Sequence, residues 1–269
     1  MTDHSKMKTN ISAIAEWLRR VGLDVKIAIL FCTRLPLSHS TAIEGPDLAR
    51  ASWAMPVAGA IVGGIGALVY VIFYKLGLSS LTAAALALAA TLLTTGCMHE
   101  DGLADTADGF GGAQEPDRKL AIMRDSRIGT YGACALAVSI MLRWSALADI
   151  ADPRPVALAL IAAHAAARGA LPSFMRLVPL ARADGLAVGA AGVSWENGSI
   201  AAVLGVLALA VAFGPLRAAA AFVLLLIAAF AMARLCLNQV GGQTGDAIGA
   251  LEQINEMLIL ITAAIVFAA

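Results

Sequence analysis

Seven long apolar segments constrain the fold of this chain more than any other feature. They cover residues 52–74, 80–98, 130–149, 155–175, 199–214, 217–236 and 248–269. A transmembrane helix needs about 20 mostly apolar residues. Only 14% of the 269 residues are charged, whereas a soluble domain carries about 25%. The segments therefore predict a single all-α domain over residues 1–269, a polytopic integral membrane bundle of about seven helices within the lipid bilayer.

Residues 1–50 precede these spans and predict an N-terminal cytoplasmic or interfacial segment. Apolar side chains recur there at helical spacing, at Ile14, Trp17, Leu18, Val21 and Val25. A helix with one apolar face predicts an amphipathic element lying in the membrane interface. The apolar run 25–33 is too short to cross a bilayer, so that it either dips into the membrane or packs against the bundle.

Lysine and arginine sort to one side of the predicted bundle. With the N-terminus in the cytoplasm, 15 of the 19 basic residues fall on the cytoplasmic side, and the other four are Lys75, Arg143, Arg154 and Arg217. The positive-inside rule therefore predicts a cytoplasmic N-terminus and an external C-terminus, in the bacterial inner membrane. The formal net charge is zero, which gives no basic field for nucleic acid, and we expect no nucleic-acid partner.

An acidic stretch, HEDGLADTADGFGG at residues 99–112, follows the second predicted span. Asp101, Asp105 and Asp108 fall at i, i+4 and i+7, on one face of a helix. Three carboxylates on one face repel one another unless a cation neutralises them. Oxygen ligands of this charge suit Mg²⁺ or Mn²⁺ rather than zinc. The spacing predicts a divalent-metal site, with a solvated acidic loop as the alternative, and we interpret His99 as an ordinary interfacial histidine.

A second polar run, MRDSRIGTYG at residues 123–132, precedes the third span. Arg124 and Arg127 lie three residues apart beside Ser126. Arginine forks bind phosphate through two hydrogen bonds, and a helix N-terminus adds free backbone N–H groups. A positive-inside anchor is the alternative, and the neighbouring acidic stretch favours phosphate binding.

A third polar run, NQVGGQTGDAIG at residues 238–249, separates the last two spans. Thr244 and Asp246 supply oxygen atoms beside several glycines. One interpretation is a polar turn in which Thr244 or Asp246 caps the last helix. The other is a contribution of these oxygens to a site at the membrane surface.

Two ionisable residues, His164 and Arg168, lie four apart within an apolar span. Such residues at membrane depth usually face the bundle interior or a water-filled cavity. Alternatively, Arg168 reaches the cytoplasmic interface by extending its side chain along the helix.

The predicted topology brings all three polar runs to the cytoplasmic face. A metal bridging phosphate oxygens, with arginines neutralising charge, serves transfer from a pyrophosphate, since this reaction demands mainly positioning and charge stabilisation. The convergence of the runs therefore predicts phosphoryl-transfer chemistry at one membrane surface.

With these motifs the sequence resembles the cobalamin synthase family, the adenosylcobinamide-GDP ribazoletransferases. The resemblance runs through FCTRLP at 31–36, HEDGLADTADG at 99–109, MRDSRIGTYG at 123–132 and GGQTGD at 241–246. It implies a membrane transferase of cobalamin biosynthesis, acting in nucleotide-loop assembly. Its small-molecule substrates would be adenosylcobinamide-GDP and α-ribazole or α-ribazole 5′-phosphate. The products would be GMP and adenosylcobalamin or its phosphate, with Mg²⁺ as cofactor.

Residues and resemblance together give a hypothesis for the site. The predicted metal ligands are Asp101, Asp105 and Asp108, with Glu100 or Asp246. The predicted catalytic residues are Asp105 or Asp108, accepting the ribose hydroxyl proton, and Arg127. The predicted substrate-binding residues are Arg34, Arg124, Asp125, Ser126, Arg127, His164, Arg168, Asn238, Thr244 and Gly245.

Two other functions compete with this hypothesis. A CDP-alcohol-type phosphotransferase also uses aspartates and glycines at the cytoplasmic surface. Its Asp-Gly-x-x-Ala-Arg pattern fails here, because Asp-Gly-Leu-Ala at 101–104 is followed by Asp105 and not by Ala-Arg. A transporter of Mg²⁺ or a small molecule predicts mid-span polar residues and repeated halves, whereas the polar runs here gather at one face.

Overall fold

The structure is a computed structural model that describes residues 3–38, 43–182 and 192–267, with side chains from residue 12 onward. The described residues form helices and no β-strand, as predicted. These are α1 (Asp3–Cys32), α2 (Gly45–Ala51), a 3₁₀ turn (Ser52–Ala54), α3 (Met55–Lys75), α4 (Ser80–Thr95), α5 (Met98–Gly112), α6 (Pro116–Ile122), α7 (Thr130–Ile150), α8 (Pro153–Leu177), α9 (Trp195–Phe213), α10 (Pro215–Val240) and α11 (Gly245–Phe267).

Each of the seven predicted spans corresponds to one of these helices. Within the described ranges, six stretches are long and apolar enough to cross a membrane by themselves, namely the α2–α3 run, α7, α8, α9, α10 and α11. The second predicted span is shorter than expected, because α4 has 16 residues and α5 leaves it at an angle of 87°. The protein is therefore an integral membrane protein whose second span ends in a sharp bend.

The bend between α4 and α5 is made by two residues with left-handed backbone conformations. Gly96 has φ 64° and Cys97 has φ 57°, a region that glycine enters without steric cost. The backbone N–H of Arg34 donates to the Thr94 carbonyl at 2.7 Å, and the Arg34 side chain covers Gly96. The segment after α1 thus braces the point where α5 departs from its span.

Helix α8 forms the centre of the bundle, and 72% of its most apolar 18-residue stretch is buried inside the protein. Glycines let neighbouring helices approach its backbone closely. A Cβ added to Gly59 on α3 would lie only 2.1 Å from the His164 carbonyl oxygen, and one added to Gly169 on α8 would lie 2.8 Å from the Ala201 carbonyl on α9. These contacts fix the height and rotation of α8.

This packing predicts that Gly59→Ala destabilises the protein by about 1–3 kcal/mol, because the added methyl group overpacks the α3–α8 contact. Gly64→Ala is the matched control, since a Cβ there meets no atom within 4 Å. Thermal unfolding of both purified variants in the same detergent measures the difference. Equal midpoints for the two variants would contradict the close approach of α3 to α8.

Helix α1 joins the interfacial segment to the bundle without a break. Ile14, Trp17 and Leu18 are exposed, as expected for an apolar face that meets lipid. At the other end of α1, Ile27 and Cys32 are buried, and Cys32 belongs to an apolar cluster with residues of α3. Of the two placements predicted for residues 25–33, packing against the bundle is therefore the one observed.

Candidate active site

One end of the bundle gathers the polar runs. At this end α5 and α7 begin, α8 ends, and α11 begins. Gly102 on α5 faces the backbone of α11, where an added Cβ would lie 2.7 Å from the Asp246 carbonyl oxygen and 3.2 Å from the Gly249 Cα. Because no side chain separates the two helices at this point, Asp246 lies beside the aspartates of α5.

A cavity of about 480 Å³, here called the polar cavity, opens between α4, α5, α7 and the loop after α6. It is lined by Leu92, Cys97, Glu100, Asp101, Ala104, Asp105, Met123, Arg124, Asp125, Ser126, Ile128, Leu136 and Ile140. The acidic stretch and the arginine run therefore contribute to the same cavity. This volume lies within the range of small-molecule sites.

The carboxylates at the polar cavity repel one another. Helix α5 lies beyond the bend and outside the spans. There, partial burial and the charges of Asp101, Asp246 and Asp108 raise the pKa of Asp105 to about 7. Buried carboxylate oxygens of Glu100 and Asp246, Oε2 and Oδ2 respectively, have no hydrogen-bond partner among the described residues. This all-oxygen set has the donor chemistry that a hard divalent cation prefers, although among the described residues only His164, Glu252 and Glu256 bring three ligand atoms within 4.8 Å of one another.

Asp108 has a different environment from the other aspartates of α5. Its Oδ2 accepts the backbone N–H of Gly129 at 2.7 Å, and its Oδ1 accepts that of Gly132 at 2.9 Å. The side chain is buried and does not line the polar cavity. Asp108 therefore joins α5 to the N-terminus of α7, where its negative charge is stabilised by free N–H groups.

The structure separates the two arginines of the second polar run. Arg124 lines the polar cavity. The Arg127 side chain is 86% exposed and does not line it; its Nη2 donates to Asp125 Oδ2 at 2.6 Å. These hydrogen bonds lower the pKa of Asp125 to about 2. Arg124 is thus the arginine that faces the carboxylates.

A second cavity of about 330 Å³, here called the apolar cavity, lies between α1, α3, α5, α8 and α11. It is lined by Phe31, Cys32, Met55, Met98, His99, Asp101, Gly102, Leu171, Met175, Arg182, Gly245, Asp246, Ile248 and Gly249. Asp101 is the only described residue that lines both cavities. Asp101 is therefore the residue that the two cavities share.

An ion network lies inside the bundle next to the site. Arg143 Nη1 donates to Glu100 Oε1 and to Glu256 Oε1, both at 3.0 Å. Arg143 is 1% exposed. Its assignment to the external surface was wrong, because two buried carboxylates hold this arginine within the bundle rather than at a membrane boundary.

The network continues through α8. Arg168 Nη1 contacts Glu252 Oε1 at 2.5 Å, and Glu256 Oε2 lies 3.1 Å from His164 Nδ1. The prediction that His164 and Arg168 face the bundle interior is confirmed, and Arg168 does not reach the interface. His99 is also buried, with its Nδ1 3.3 Å from Arg168 Nη2, so that its interfacial interpretation was wrong.

The cluster of His164, Glu252 and Glu256 could hold a metal by the spacing of its ligand atoms. Arg168 already supplies a cation at Glu252, and the network is accordingly an internal structural element. Glu252 and Glu256 were not among the predicted site residues, although two carboxylates four residues apart in the last span carry the same signal as His164 and Arg168.

The remaining predicted residues have separate positions. Thr244 Oγ1 accepts the Ala247 N–H at 3.1 Å, which confirms that Thr244 caps the last helix. Gly245 lines the apolar cavity. Asn238 is exposed near the end of α10, and Arg34 is exposed at the bend. Neither of these two lines the polar or the apolar cavity.

Comparison with known proteins adds independent findings. Residues 24–264 match the family described as cobalamin-5-phosphate synthase. A relative from Bradyrhizobium diazoefficiens, named adenosylcobinamide-GDP ribazoletransferase, is 54% identical and covers 93% of this chain and 96% of its own length. Relatives of the same name from Mesorhizobium japonicum and Azorhizobium caulinodans are 52% and 42% identical, over 92% and 90% of this chain and 95% of each relative. No solved structure matches the chain.

Proposed function

The chain belongs to the cobalamin-5-phosphate synthase family, and we propose that its polar cavity is where ribazole is transferred to adenosylcobinamide-GDP. The protein is a membrane-bound transferase of cobalamin biosynthesis. The observation that carries the assignment of the site is the meeting of Asp101, Asp105 and Arg124 in one cavity at the end of the bundle. Those groups match the demands of phosphoryl transfer, which needs charge neutralisation and positioning.

The reaction forms one P–O bond and breaks another. A ribose hydroxyl oxygen of α-ribazole, or of its 5′-phosphate, attacks the phosphorus attached to cobinamide. The bond from this phosphorus to the bridging oxygen of the pyrophosphate breaks, and GMP leaves with that oxygen. The hydroxyl proton passes to Asp105, whose pKa of about 7 suits a proton acceptor near neutral pH.

The other side chains hold the reacting groups in place. Asp101 and Asp246, with Glu100 Oε2, would hold Mg²⁺, which when bound would polarise phosphate oxygens and neutralise their charge. Arg124 pairs with phosphate oxygens. Asp108 anchors the loop that carries Arg124, through its hydrogen bonds to Gly129 and Gly132.

The site faces the cytoplasm in this proposal, with the N-terminus inside and the C-terminus outside the bacterial inner membrane. In the count of lysines and arginines, Arg143 stood on the external side and Arg168 on the cytoplasmic side, and both are buried in the bundle. Leaving them out removes one basic residue from each side. The remaining lysines and arginines keep the same strong bias. A cytoplasmic site also gives access to nucleotide substrates.

The competing functions have less support. Asp105 still follows Asp-Gly-Leu-Ala at 101–104, where the CDP-alcohol pattern requires Ala-Arg. A transporter would need a polar path through the bundle, whereas the buried charges of α7, α8 and α11 are paired with one another. The family match favours neither alternative.

GMP release by the purified protein tests the function. With adenosylcobinamide-GDP, α-ribazole and Mg²⁺ we expect GMP and the joined corrinoid in equal amounts, and chelation of divalent ions should reduce both to the uncatalysed level. GMP release at an unchanged rate without α-ribazole would instead indicate a hydrolase. Uptake of Mg²⁺ or substrate into proteoliposomes without GMP release would indicate a transporter.

A further inference from the structure

The apolar cavity has the lining of a small-molecule site that the reaction described above leaves unassigned. Most of its wall consists of apolar side chains, namely Phe31, Met55, Met98, Leu171, Met175 and Ile248. Methionines adapt to planar ligands and make favourable contacts between sulfur and aromatic rings. The cavity lies beside the carboxylates of Asp101 and Asp246, which contribute to its wall.

Polar groups of the apolar cavity complement its apolar wall. Asp101, Asp246 and Arg182 contribute the charged atoms, and Arg182 Nη2 lies 3.7 Å from Asp246 Oδ2. A cavity of about 330 Å³ lies at the small end of the range for ligand sites. These features suit a compact ligand with a flat apolar part and a hydroxyl-bearing part, such as an aromatic nucleoside.

The position of Asp101 relates the two cavities to each other. Residues 100, 104 and 105 of α5 face the polar cavity, residues 98, 99 and 102 face the apolar cavity, and Asp101 lies at the boundary. In phosphoryl transfer the attacking and leaving oxygens lie roughly in line with the phosphorus. The acceptor and the leaving nucleotide therefore lie on opposite sides of the phosphorus, which two adjoining cavities can accommodate.

We propose that the apolar cavity is the acceptor subsite, which binds the aromatic base of α-ribazole and directs its ribose toward Asp101. The polar cavity then holds the pyrophosphate and the leaving guanosine. This assignment rests on the proposed function, because it presupposes an aromatic nucleoside as acceptor. It explains why an apolar chamber adjoins a carboxylate cluster, since the base and the phosphates require opposite environments.

Steady-state kinetics of cavity-filling variants test the assignment. Met98→Trp and Ile248→Trp each fill part of the apolar cavity, and we expect each to raise the KM for α-ribazole about tenfold or more, which corresponds to about 1.4 kcal/mol. Their KM for adenosylcobinamide-GDP should stay within twofold of the wild type. Ile128→Trp in the polar cavity is the matched control and should show the reverse pattern.

Titration of α-ribazole into the purified protein without corrinoid gives a second readout. Binding should weaken about tenfold in Met98→Trp and Ile248→Trp and remain unchanged in Ile128→Trp. Equal effects on both substrates, or an effect on the corrinoid alone, would overturn the subsite. If α-ribazole binds the wild type and binds the two apolar-cavity variants more weakly, but no GMP is released, the proposed function is contradicted while the apolar cavity stands as a binding site for α-ribazole.

Discussion

Asp105→Asn is expected to lower GMP release about a hundredfold or more, because a positioned proton acceptor contributes about 10²–10⁴ to the rate. Asparagine has nearly the same shape as aspartate but cannot accept the ribose hydroxyl proton at neutral pH. It also removes one negative charge from the carboxylate cluster of α5, which weakens binding of a divalent cation. The measurement is kcat for GMP release at saturating concentrations of both substrates and Mg²⁺, with equal amounts of membrane-inserted protein.

Two further variants make this result interpretable. Asp117→Asn removes an exposed carboxylate of α6 that lines neither cavity, and it should retain wild-type turnover. Asp108→Asn replaces one acceptor oxygen facing Gly129 and Gly132 with a donor, so that the loop carrying Arg124 shifts and turnover is lost. Near-normal turnover by both Asp105→Asn and Asp108→Asn, with normal membrane insertion, would refute the catalytic role of this cluster.

Arg143→Met is expected to destabilise the bundle by about 3–5 kcal/mol, the cost of removing one partner of a buried ion pair. The substitution leaves Glu100 and Glu256 buried without the cation that bridges them. Thermal or denaturant unfolding in detergent measures the loss. Because Glu100 also lines the polar cavity, turnover should fall in the fraction that remains folded.

The control for this prediction is Arg154→Met, an exposed arginine near the start of α8, which should have little effect. Combining Arg143→Met with Glu256→Gln should restore part of the lost stability, since one unpaired charge is then removed. If Arg143→Met unfolds at the same temperature as Arg154→Met, the bridge contributes nothing to stability and the network does not hold α5, α7 and α11 together.

Hydropathy was sufficient to predict the helical architecture. Every predicted span has a helix, because long apolar runs have few alternatives in a membrane. The bend after α4 was not predicted, since Gly96 alone does not show where a span stops and Cys97 is an unusual residue for a positive φ. The placement of Arg143 on the external side was wrong because the positive-inside rule treats every lysine and arginine as a surface residue, whereas Arg143 packs in the interior of the bundle.

The candidate site was predicted in part. The spacing of the aspartates correctly predicted that Asp101 and Asp105 lie together. The predicted topology correctly placed Arg124 near them. Helical periodicity gave Asp108 the same face as its neighbours, although its hydrogen bonds to Gly129 and Gly132 depend on a tertiary contact that no local pattern encodes. The apolar cavity was also missed, because five helices contribute to it and each apolar residue by itself is typical of a membrane protein.

The shortness of α4 has a consequence for water at the reaction centre. Its 16 residues extend about 24 Å, several ångströms less than the roughly 30 Å hydrocarbon layer. An upright α4 that starts at one boundary would end below the other, and α5 with its carboxylates would then lie in a recess of the bilayer surface. Water is the rival nucleophile for an activated pyrophosphate, and a recess walled by lipid and helices restricts its supply. The length of a single helix thus bears on whether the phosphoryl group is transferred to an acceptor or lost to hydrolysis.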